Sequence, residues 1–184
     1  MIDKRMKEQY QNYSGEECYF FGLSLFSAYD KTGEEKYRKD IEEMMFAFRQ
    51  SKKETAEADR WLPLLPLFVM YENRFGTKEG YPEAAALFQK GKELLSQPVY
   101  LMCLADTLAC IDENIYDCYD QLRSLFKDAV AQILREGGPA SKDPVFGAVI
   151  QKGCRLRVLL SHKYQKWGEW IERGCEKEEE YDFF

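Results

Sequence analysis

Apolar residues recur along this chain at helical spacing, in stripes that polar turns interrupt at near-regular intervals. Cys18, Phe21, Gly22, Leu25 and Tyr29 fall at i, i+3, i+4, i+7 and i+11, one face of a helix. Ser14 is placed to cap its start, and Asp30-Lys31-Thr32-Gly33 to stop it, with Gly33 supplying the left-handed turn. A second helix over 34–50 carries Tyr37, Ile41, Met44, Met45 and Phe48 inward, and 51–55 reads as a charged connector. Residues 2–13 fit a polar, loosely amphipathic helix ahead of the first stripe. From Ala58 to Tyr71 the chain is strongly apolar behind one acid, Asp59. Pro63 suits a first helical turn, whereas Pro66, further in, predicts a kink or a delayed start. Gly76 closes that helix, and Gly80-Tyr81-Pro82 opens another running to about Leu95. After the break at Ser96-Gln97-Pro98, Tyr100, Cys103, Leu104, Thr107, Leu108 and Ile111 form a further stripe. A long helix over 115–136 ends at Gly137-Gly138-Pro139, and a last pair spans 143–160 and 163–174. No stretch alternates as a strand would.

These stripes make a repeat. Each unit is an apolar helix, a short polar turn and a helix opened by a tyrosine. Tyr37, Tyr81, Tyr119 and Tyr164 recur at intervals of 44, 38 and 45 residues. Two helices per period of about 40 residues indicate stacked α-hairpins, and either an open solenoid or a closed α/α toroid has that period. The expected fold is all-α, an α/α-hairpin toroid of about nine helices. Residues 1–175 are expected to form one domain, with 176–184 an acidic tail. A ring short of hairpins exposes an apolar seam, which favours a homo-oligomer.

Composition narrows the function classes. Aromatic residues make up 15% of the 184 positions, a load that fits a packed interior and not a disordered chain. The net charge of −6, with no basic block, argues against nucleic acid or an anionic membrane as partner. No apolar run reaches the ~18 residues of a membrane span, and the first residues lack the apolar core of a signal peptide. The six cysteines form no CxxC pair and share one histidine, His162, so no metal site and no cofactor are expected. They read as reduced apolar packing groups, which goes with a cytoplasmic location.

Four segments carry a family likeness: 25–39 around the Tyr29–Tyr37 turn; Asp59 to Tyr71, with Pro66; Val99 to Asp106; and Phe146 to Leu160, with Gly153-Cys154-Arg155-Leu156. In this order they resemble the unsaturated glucuronyl and rhamnogalacturonyl hydrolases, glycoside hydrolases of families 88 and 105, over about residues 15–174. The resemblance implies an α/α barrel. It also implies hydration of the double bond that polysaccharide lyases leave on uronic acid oligosaccharides. Asp59 then stands as general acid/base, without a metal, and an unsaturated oligosaccharide is the implied partner. Arg60, Trp61 and Tyr100 are the implied substrate contacts. An acid with this task needs an apolar, aromatic pocket to keep it protonated near neutrality. The long sugar-binding loop of the family is reduced here to Ser96-Gln97-Pro98. The alternative is therefore a non-catalytic helical module that binds a carbohydrate or a protein.

Each candidate also has a purely structural role open to it. Asp59 suits a first-turn acid, Arg60 a surface charge and Trp61 a core ring. Asp106, inside an apolar helix, reads as a hydrogen-bonding acid, and His162 as a solvated turn residue. Trp167 and Trp170 read as packing residues.

Overall fold

The computed structural model describes residues 15–54, 58–111, 113 and 117–172. Among them are eight α-helices of ten or more residues and no strand. These are α1 (Gly15–Thr32), α2 (Glu35–Glu54), α3 (Leu65–Arg74), α4 (Tyr81–Lys90), α5 (Pro98–Cys110), α6 (Cys118–Glu136), α7 (Pro144–Arg155) and α8 (Ser161–Glu172). The first stripe forms α1, which stops where Gly33 adopts φ 65° and donates its N–H to the carbonyl of Tyr29 at 2.8 Å. The expected helix over 2–13, the Ser14 cap and the acidic tail lie outside the described residues.

The two prolines shape the entry to α3. Ala58–Trp61 makes a single helical turn, Leu62–Leu64 tightens to a 3₁₀ helix, and the α-helix starts afresh at Leu65 with Pro66 in its first turn. There the missing proline N–H removes no helical bond, so the helix is delayed and not kinked.

Three expected boundaries move. Residues 51–54 continue α2 and do not form a connector, because nothing in Ser51-Lys52-Lys53-Glu54 breaks a helix. The helix from Tyr81 ends at Lys90 and is followed by a 3₁₀ helix, Lys92–Ser96, as Gly91 lies against Trp61 and Leu62. The helix from Pro144 ends at Arg155, five residues earlier than its apolar pattern suggests, because Arg157 takes a left-handed φ of 57°.

The helices pair as hairpins. α1 packs on α2, α3 on α4, α5 on α6 and α7 on α8. The first helices of successive hairpins also touch: α1 meets the 3₁₀ turn before α3, α3 packs on α5, and α5 on α7. Among the second helices, α4 packs on α6. One apolar core runs continuously from Tyr19 to Leu159 and includes Phe26, Phe48, Trp61, Phe68, Phe88, Phe126 and Phe146. Close approach of α1 to α3 depends on Gly22, where a Cβ would collide with the side chain of Leu67.

Polar anchors hold the hairpin ends. Arg74, at the end of α3, donates Nε and Nη2 to the Asp30 carboxylate at 3.0 and 2.7 Å while its guanidinium lies over the Phe26 ring. Glu72 is buried, pairs with Arg49 at 3.1 Å and accepts the Lys78 backbone N–H at 3.0 Å. The α3–α4 turn is thereby fixed from beneath.

Candidate functional site

Asp59 lies in the one-turn helix Ala58–Trp61 and is exposed, as is Arg60. Trp61, two residues on, is 2% exposed, with its ring in the core beside Gly91. At about 100° per residue the acid and the tryptophan point to opposite sides of that turn. The ring therefore offers no stacking surface to a sugar. Tyr100 is half-buried in the first turn of α5 and packs against the core. The four residues that the resemblance implies are thus spread over solvent and core.

The polar grouping that does form between hairpins is elsewhere. Asp106 on α5 accepts the Tyr19 hydroxyl of α1 on Oδ2 and pairs through Oδ1 with the Lys152 ammonium of α7. Tyr19 is 5% exposed, and burial, with Cys103 and Cys110 nearby, pushes its phenol far up, so it stays a donor at any physiological pH. Burial and the neighbouring Arg155 push the Lys152 ammonium below the usual lysine range. Within the trio, one hydroxyl and one ammonium donate to the two oxygens of one carboxylate. Each carboxylate oxygen thus has one donor from another hairpin, so the group acts as a tie between α1, α5 and α7. Reading Asp106 as a hydrogen-bonding acid agrees with this geometry. Tyr19 and Lys152 carried no signal of their own, being 87 residues before and 46 residues beyond their respective neighbours in the tie.

An open concavity lies on the surface of the second helices of two neighbouring hairpins. The faces of α4, the 3₁₀ helix after it and α6 enclose an open groove of about 880 Å³. Gln121, Ser124, Leu125, Asp128 and Gln132 of α6 line it at i, i+3, i+4, i+7 and i+11, a polar stripe beside the buried one. That spacing is legible in the sequence once the second face of the helix is read as carefully as the first.

Among the described residues no three His, Cys, Asp or Glu side chains gather as metal ligands. No helix among them is long and apolar enough to cross a membrane. Protein-family models, curated proteins and solved structures show no match to this chain. His162 is exposed at the start of α8, and Trp167 packs half-buried against the core, while the Trp170 side chain lies outside the described residues.

Proposed function

We propose that this chain is a non-catalytic α-hairpin module, an arc of the α/α-toroid type, that works by binding a partner. The observation that carries the reading is the turn Ala58–Trp61. Its acid is exposed and not enclosed in the apolar, aromatic pocket that a general acid of this kind needs, and its aromatic ring is packed in the core. Uninterrupted packing from Tyr19 to Leu159, with polar side chains used as ties, is what a scaffold requires. The five described cysteines are free thiols, which suits a reducing compartment such as the cytoplasm.

One observation favours a second reading, an unsaturated uronyl hydrolase using Asp59 as general acid/base. Asp59, Pro66 and Tyr71 keep the family-like order at the head of a helix that touches both α1 and α5. In that reading Arg60 and Tyr100 contact an unsaturated oligosaccharide and Trp61 supports the turn from beneath.

One experiment separates the two. Purified protein is incubated with unsaturated galacturonyl-rhamnose, and the absorbance of the ring double bond is followed. The module reading expects no loss above a protein-free control. A loss that disappears with Asp59→Asn would overturn it in favour of the hydrolase.

A further inference from the structure

We propose that the groove between α4 and α6 is a binding site for an extended peptide carrying basic side chains; this names the partner class and rests on the binding-module reading above. The first argument is shape. The α6 stripe from Gln121 to Gln132 covers eleven residue steps, about 16 Å at helical rise. An extended chain advances about 3.3 Å per residue, so the groove accommodates roughly five residues lying along α6. Its volume of about 880 Å³ fits a segment of that length.

The second argument is the chemistry of the lining. Leu95, Leu125 and Ala129 provide an apolar floor, with Leu95 and Ala129 buried. Gln89, Gln121 and Gln132 bring carboxamides, which can both donate to and accept from a peptide backbone. Glu93, Asp120 and Asp128 bring three carboxylates against one cation, Lys92, and none of the three makes a salt bridge among the described residues. Successive side chains of an extended peptide point to opposite sides, so basic residues at every second position would all face this acidic wall. An acidic peptide or a nucleic-acid backbone meets the same wall with repulsion.

The test uses the full chain and a fluorescein-labelled hexapeptide with lysine at alternate positions and serine between, followed by fluorescence anisotropy at low salt. Saturable binding is expected that weakens with added salt, with no binding of the same peptide bearing glutamate for lysine. The double variant Asp120→Asn/Asp128→Asn should bind about five-fold more weakly, as two exposed charge pairs are lost. Its helical circular dichroism should match the parent, since both positions are exposed. Spermine should compete poorly, because it lacks the backbone groups that the carboxamides read. Absence of peptide binding, equal binding by the double variant, or displacement by equimolar spermine would each overturn the assignment of the groove. These outcomes leave the module reading to the double-bond assay, so failure of one is distinguishable from failure of the other.

Discussion

Two acids of this chain sit beside strongly apolar helical sequence, and their fates differ. Asp59 occupies a single turn before the 3₁₀ segment and points to solvent. Asp106 is the ninth residue of a thirteen-residue helix, half-buried, with partners on two other hairpins. The local sequence around each looks alike, an acid next to aliphatic and aromatic residues. What separates them is the neighbour that the fold delivers. α1 and α2 both touch the Ala58–Trp61 turn, yet the Asp59 side chain stays exposed, whereas α1 and α7 both reach the carboxylate of Asp106. A carboxylate acquires unusual properties from groups remote in sequence, so a short motif indicates where an acid is and not how it behaves.

Four substitutions can break or sharpen this contrast. The largest effect is expected at the buried half of the Asp59 turn. Trp61→Ala removes a ring that is 2% exposed and should cost about 3–5 kcal/mol in urea unfolding. If the loss is near zero, the ring is not a core anchor and the turn is freer than described. Next, Asp106→Ala strands the Tyr19 hydroxyl and the Lys152 ammonium and should cost about 1–3 kcal/mol. The cycle with Lys152→Met measures how much of that is the pair itself, and an additive double variant would mean that no tie exists. A smaller effect belongs to Arg74→Gln. Hydrogen bonding from Arg74 holds the Asp30 carboxyl below its ordinary 3.8. The pair therefore stabilises the fold above that pH and loses its contribution as pH falls through the lowered value. Solvent screens both groups, so the variant should lose less than about 1 kcal/mol at pH 7, and the difference should close in acid melts. Smallest of all, Asp59→Asn should leave the melting temperature unchanged, and a marked drop would reveal a partner for the carboxylate.

Much of the helical pattern is legible in the sequence. The Cys18–Tyr29 stripe, the left-handed stop at Gly33 and the delay caused by Pro66 all follow from local geometry that a few residues determine. The repeat also held: Tyr81 and Tyr119 are both buried in the first turns of their helices. Tertiary effects were less accessible. Arg157 adopts a left-handed backbone with no glycine to announce it, so the apolar pattern runs on past the end of α7 at Arg155. The break at Gly91 comes from packing against Trp61, a residue thirty positions earlier. The Tyr19–Asp106–Lys152 tie was invisible for the same reason, since its members share no sequence neighbourhood. The candidate site was least legible, because exposure decides whether Asp59 has chemistry, and exposure is a property of the assembled array.

The tie at Asp106 also bears on the order in which the molecule assembles. Each hairpin closes over a short turn, but the Tyr19–Asp106 contact joins positions 87 residues apart. Bringing such distant segments together carries a large loop-closure cost, repaid only once the intervening helices have packed. The hairpins should therefore form early and this contact late. Removing the tie with Tyr19→Phe should accelerate unfolding while leaving the refolding rate almost untouched.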